Sequence, residues 1–165
     1  MKTEHRRALE RVQHIIDDHQ ESAPVPVVML AKALGLSVFT LDTFPDDVSG
    51  MIKKEDGSYS IYVNSTHHSN RRRFTIAHEI AHYILHKEYI GDGIVDDALY
   101  RSGLGTIMET EANAFAAEIL MPFHLLSQES LPDRTVNDLA EIFKVSTASM
   151  GIRLGEPAYS IGAVA

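Results

Sequence analysis

Leu9, Val12, Ile15 and Ile16 recur at three- and four-residue spacing inside the charged segment 3–21, the stripe of an amphipathic helix that lays one face on a core. The breaker Ser22-Ala23-Pro24-Val25-Pro26 ends that pattern. Val27 to Leu34 reads as a second, short helix, with Gly35 where a chain leaves a helix in the left-handed region. The next run, Leu36 to Leu41, reads as a strand. Residues 48–64 hold two strand-like runs on either side of Asp56-Gly57, a hairpin signal, so the spacing predicts a small antiparallel sheet.

Polar residues from Asn64 to Arg73 lead into a long apolar segment, a helix predicted to run to about His86 with Ser69 or Asn70 as its N-cap. Residues 87–107 carry four glycines and four acidic residues at no regular period. They read as a long surface loop, a length more often functional than decorative. Met108 to Leu120 returns to helix and Met121-Pro122 stops it; two or three short helices follow, then a small, apolar, loosely held tail. The expected fold class is α+β, with one unit over 1–123, helices around a small antiparallel sheet, and a C-terminal helical region over 124–165.

At 165 residues and 44% apolar content the chain can bury one domain-sized core. Its net charge of −8, from 23 acidic and 15 basic residues, opposes a phosphate backbone. The absence of cysteine removes disulfides, thiolate ligands and cysteine nucleophiles, so any metal must be held by imidazole and carboxylate. Charges scattered through the first twenty residues argue against a signal peptide, and no apolar run reaches the roughly 18 residues of a membrane span. The expected location is the cytoplasm.

The segment "LAEIFKVSTASMGIRL" has the spacing of a bacterial helix-turn-helix. Residues 125–165 nevertheless carry Arg134, Lys144 and Arg153 against Glu129, Asp133, Asp138, Glu141 and Glu156, a net of −2. A groove-reading helix needs flanking cations, and here Arg153 stands alone. Helix packing or partner docking is the better use of the segment, with no direct nucleic-acid contact expected.

The chemistry lies in "FTIAHEIAHYILH". His78 and His82 are four apart, so on a helix both imidazoles leave one face a turn from each other, the separation a single zinc ion bridges. Glu79 points about 100° away around the axis, where it can hold a water on the open side of the metal and act as general base. The alternative, core histidines, leaves two imidazoles and a carboxylate buried without partners, at a cost of several kcal/mol. His86 lies about 12 Å along the axis from His78 and cannot join the same shell. It reads as a histidine hydrogen-bonded at the helix end, near the C-terminal dipole.

A peptidase zinc takes three protein ligands and keeps one position open. Glu109, Glu111 and Glu118 follow in "METEANAFAAEILMP". Glu109 shares a helix face with Asn113 and the small Ala112 and Ala116, which would let the two helices approach closely. Geometry favours Glu109 over Glu111, while Glu118 suits a surface charge or a hydrogen-bond acceptor behind the site. Asn113, one turn after Glu109, is spaced to orient a ligand histidine through its free ring nitrogen.

Together, "RRRFTIAHEIAHYILH" and "ETEANAFAAEILMP" resemble the ImmA/IrrE family of bacterial and phage metallopeptidases, and the likeness extends through "LAKALGLSV" and the C-terminal helices over most of 25–155. The resemblance implies a zincin-like core followed by a helix-turn-helix-like region. It also implies that His78, His82 and Glu109 bind zinc and that Glu79 is the catalytic base. Asn113 stands where the wider gluzincin plan has an aspartate. The resemblance further implies an endopeptidase that cleaves or inactivates a separate helix-turn-helix repressor or antitoxin encoded nearby. A non-cleaving toxin or partner-binding component of a two-gene toxin–antitoxin pair, on the same scaffold, is the competing reading.

An oxyanion helper is usual for such chemistry, and Tyr62, His67 and Tyr100 are the available side chains, each with a structural reading as well. The outer hairpin strand could also offer backbone hydrogen bonds to an extended peptide.

Overall fold

The computed structural model describes residues 1–91 and 105–155. Among these, seven α-helices surround a three-stranded sheet: α1 (Lys2–Asp18), α2 (Val27–Ala33), β1 (Ser37–Leu41), β2 (Gly50–Glu55), β3 (Ser58–Asn64), α3 (Ser69–Leu85), α4 (Gly105–Leu120), α5 (Phe123–Glu129), α6 (Val136–Phe143) and α7 (Thr147–Arg153). A short 3-10 turn, Lys87–Tyr89, follows α3. Part of the expected loop over 87–107, including Tyr100, lies outside the described residues, as does the C-terminal tail from Glu156. The helix expected from Met108 begins one turn earlier, at Gly105.

The sheet corrects one expectation. It is mixed rather than antiparallel: β3 lies in the middle, antiparallel to β2 and parallel to β1, with Phe39 opposite Tyr62. The Asp56-Gly57 hairpin forms as expected, with φ of +50° and +79° at the two turn residues. The chain reverses once through residues 42–49 and again in the hairpin, so β3 runs in the direction of β1. The strand with the most buried apolar side chains, Ile61 and Val63, takes the centre.

Asn64 anchors the crossing. It is fully buried, donates to the carbonyls of Pro45 (3.2 Å) and Val48 (2.9 Å), and accepts from Thr66 N–H (3.0 Å) and hydroxyl (2.7 Å). A buried amide with its hydrogen-bonding capacity used in this way holds the 42–49 segment across the end of β3. Gly50 opens β2 where no side chain fits: a Cβ there would lie 2.7 Å from Thr75 Cγ2 of α3 and closer still to the Tyr62 carbonyl. The sheet therefore meets α3 backbone to side chain.

The α2 exit behaves as its sequence implies. Gly35 has φ +86°, its N–H donates to Lys32, and Leu36 N–H reaches back to Ala31 (2.9 Å), so the left-handed exit satisfies the last carbonyls. One continuous core joins Leu30, Ile52, Ile61, Ile80, Ile119, Leu125, Phe143 and Met150, so α5 to α7 share apolar burial with the sheet and α3. Arg73 on α3 binds the carbonyls of Val25 (2.8 Å) and Lys144 (3.3 Å), and Asn70 binds that of Val145 (3.3 Å). These contacts fix the start of α3 between the α2 approach and the α6–α7 turn.

Candidate metal centre

The N-cap of α3 is His68, one residue before the expected Ser69, its Nδ1 accepting from Asn70 N–H at 3.1 Å. A ring nitrogen here does what a serine or asparagine oxygen does elsewhere. From that start, three turns of helix carry His78, Glu79 and His82 to the seam with α4. The α3–α4 pair makes the most extensive contact between helices in the fold. Ala112 and Ala116 are fully buried, and small residues of this kind let two helix backbones approach closely.

At that seam, ligand atoms of His78, His82 and Glu109 lie within 4.8 Å of one another. His82 Nε2 is 2.7 Å from Glu109 Oε1, His78 Nε2 is 3.2 Å from Glu109 Oε2, and the two Nε2 atoms are 3.1 Å apart. In a tetrahedral site with bonds near 2.0–2.1 Å, neighbouring donors stand about 3.3 Å apart. The three side chains are thus spaced as one ion would hold them, and the donor set, two imidazoles and a carboxylate, suits a borderline divalent metal.

The electrostatics follow from crowding. Burial opposes the charged forms of His78 and Glu109, yet each stabilises the other. The Glu109 hydrogen bond and the charges of Glu79 and Glu109 hold the His78 imidazolium above its usual range. Hydrogen bonds from His78 and His82 hold the Glu109 carboxyl far below the carboxylate range. Glu79 is buried beside them at 6% exposure. A carboxylate kept in so little water is where a general base is expected to sit.

Behind the converging atoms, His78 Nδ1 meets Asn113 Oδ1 at 2.9 Å, the contact the one-turn spacing anticipated. His86 is hydrogen-bonded at the helix end and outside the ligand group, as expected, but the sequence did not name its partners. It is buried there, and its partners are two side chains: His82 Nδ1 at 2.9 Å from its Nδ1, and Glu111 Oε2 at 2.9 Å from its Nε2. Glu111, the rival to Glu109 as a ligand, therefore faces His86 and stands away from the His78–His82–Glu109 group. The signal that could have exposed these partners is the repeat of the four-residue spacing, His78-His82-His86, read as neighbouring rings along one helix face rather than as competing ligands.

The remaining candidates sit elsewhere. Glu118 lines a cavity with Phe115, Phe123 and Arg153 on the other side of α4. Tyr62 donates to Glu55 (2.9 Å), and His67 Nε2 binds the Asp46 carbonyl (2.8 Å), so both expected oxyanion helpers serve local structure. At the outer edge of β2, Lys54 N–H donates to Gly91 (3.0 Å), so the segment after α3 already occupies that position of the edge.

Comparison with known proteins bears on the family of the chain. Residues 31–155 match the sequence model of Peptidase_M78, described as the IrrE N-terminal-like domain. The chain is similar to uncharacterized immunity region protein 2 of Bacillus phage phi105, at 27% identity over 129 residues, 78% of this chain and 77% of that protein. It is also similar to the radiation response metalloprotease IrrE of Deinococcus deserti, at 32% identity over 141 residues, 74% of this chain but 44% of the larger protein. Among solved structures, a Mycobacterium tuberculosis transcriptional regulator shares the fold with a TM-score of 0.64 at 16% identity, over 88% of this chain and 45% of that one.

Proposed function

Because the chain belongs to the Peptidase_M78 family, that of the IrrE N-terminal-like domain, we propose that it is a zinc-dependent endopeptidase that cleaves a helix-turn-helix repressor or antitoxin partner. The observation that carries this reading is the convergence of His78 Nε2, His82 Nε2 and the Glu109 carboxylate within 4.8 Å, beside a buried Glu79. In this reading His78, His82 and Glu109 hold the ion, Asn113 orients His78, and residues 1–123 form a zincin-like peptidase unit with a helix-turn-helix-like region over 124–165.

Zinc bound there would polarise a scissile carbonyl and bring the pKa of a water towards neutrality. Glu79 would accept the proton of the attacking water and return it to the leaving amine nitrogen, the two halves of general acid–base work by one carboxyl group. Asn113 would keep the His78 ring from rotating while this happens.

The partner is inferred from the company the family keeps: an immunity-region protein of a phage and a radiation response metalloprotease are similar to this chain. Among the described residues no helix is long and apolar enough to cross a membrane. The test is to incubate the protein with each helix-turn-helix protein encoded beside its gene and to read products by mass spectrometry, with Glu79→Gln and chelator controls. Cleavage lost in both controls supports the peptidase. A stable complex without cleavage, unchanged by either control, supports a binding component instead.

A further inference from the structure

The two ligand histidines are held from behind by different chemistry. His78 Nδ1 faces an amide oxygen, that of Asn113. His82 Nδ1 faces another imidazole, His86 Nδ1, at 2.9 Å, and such a pair has two proton placements, with either ring as donor. With an ion on His82 Nε2 in place of the proton that the Glu109 carboxylate, 2.7 Å away, would otherwise accept, the far end of the chain decides between them. His86 Nε2 lies 2.9 Å from Glu111 Oε2, and a carboxylate can only accept, so neutral His86 carries its proton on Nε2 and presents a bare Nδ1. His82 must then carry its own proton on Nδ1. Its Nε2 lone pair is then open to the ion that Glu109 and His78, 2.7 and 3.1 Å from that atom, would share with it.

We propose that His86 and Glu111 are a positioning pair that sets the tautomer and ring plane of His82 for metal capture, as Asn113 does for His78. The pair runs from surface to interior: the side chains of Glu111, His86 and His82 are 53%, 5% and 1% exposed. A carboxylate in water thus orders a ligand that water cannot reach, and partners of this kind typically carry about 10- to 100-fold in metal affinity. The inference rests on reading His78, His82 and Glu109 as a metal site; neither His86 nor Glu111 is assigned any contact with substrate.

The test is the zinc affinity of the full chain, by competition with a chromophoric chelator, in wild type, Glu111→Ala, His86→Ala, His86→Gln and the His86→Gln/Glu111→Ala double variant. Glu111→Ala is expected to bind zinc about tenfold more weakly. Its metal-free form should unfold at the wild-type temperature, because a half-exposed carboxylate contributes little to folding. His86→Gln keeps an amide oxygen able to accept the His82 Nδ1–H, so it should recover affinity that His86→Ala loses. In the His86→Gln background, Glu111→Ala should have no further effect, because the carboxylate acts only through the ring. Nitrogen-15 spectra of the zinc-loaded protein should show His82 protonated at Nδ1 and His86 at Nε2. Wild-type zinc affinity in Glu111→Ala, additive losses in the double variant, or His86 protonated at Nδ1 would overturn the pair and leave the metal site standing. A wild-type chain that binds no zinc would overturn both.

Discussion

The α3–α4 seam and the α6–α7 pair are both helix pairs in one core, and they place their polar residues in opposite ways. In α6–α7 the polar groups stand at the helix ends and serve the backbone. Thr135 and Asp138 form a reciprocal capping box, Lys144 takes the left-handed exit at φ +54°, and Ser146 accepts from Ser149 N–H. The interior is apolar, with Leu139, Ala140, Phe143, Val145 and Met150. In α3–α4 the polar groups run along the facing helices, from fully buried His82 to half-exposed Glu111, and serve one another. Caps satisfy groups that every helix has, whereas interior imidazoles satisfy a need that folding did not create. The difference separates a pair that stabilises the fold from one that the proposed function makes the reactive site.

The contrast breaks first, and with the largest effect, at Glu79. Glu79→Gln is expected to lower peptide hydrolysis by about 10²- to 10⁴-fold while zinc content by elemental analysis stays at the wild-type level. Loss of zinc in that variant would make Glu79 a ligand or a structural group instead of a base. His82→Ala should show the converse, with zinc lost and hydrolysis lost with it. Its affinity should fall by more than the roughly 10- to 100-fold that partners behind a ligand carry.

Ala112→Leu probes the same seam by volume. The alanine is fully buried on the stretch of α4 that carries Glu109 and Asn113, so a larger side chain must push the helices apart. A cost of about 1–3 kcal/mol in chemical unfolding is expected, together with weaker zinc binding. Thr135→Ala in the other pair should cost about 1 kcal/mol, by loss of the cap, with zinc affinity unchanged. A zinc defect in Thr135→Ala would mean that the two helix pairs are coupled and the contrast is false.

The same contrast explains what the sequence made legible. Local signals were readable: Asp56-Gly57 for the hairpin, Gly35 for the α2 exit, and the four-residue spacing of His78 and His82. Pairings between distant segments were less so. The parallel docking of β1 on β3 depends on how the 42–49 segment crosses, and that crossing is held by Asn64, one amide among many polar residues in the string. The choice between Glu109 and Glu111 depends on the rotation of α4 against α3, which spacing constrains only to a face. His86 was set aside by a distance argument that holds for ligation, but says nothing of a ring behind the ligand.

The smallest effect is one of pH, and it assigns each pair a different side of neutrality. In the metal-free protein the His78 imidazolium is held above its ordinary 6.5, so its contribution to stability is complete below pH 6.5 and is lost as pH rises through the raised value. The Glu109 carboxyl is held far below its ordinary 4.5, so its contribution is complete above pH 4.5 and is lost only as pH falls towards that depressed value. The α3–α4 seam without metal is therefore most stabilised between pH 4.5 and 6.5 and weakens on the alkaline side. Asp138, lowered from 3.8 by its bond to the Thr135 backbone, adds only an acid-side loss to the α6–α7 pair. Zinc bound at the proposed site would reverse the alkaline slope, because ion binding requires bare imidazoles and strengthens as protons leave. Thermal unfolding of chelator-treated and zinc-loaded protein between about pH 5 and 8 should accordingly give lines of opposite slope. Parallel lines would show that His78 and Glu109 do not exchange a proton for an ion, and would remove the seam's claim to be a metal centre.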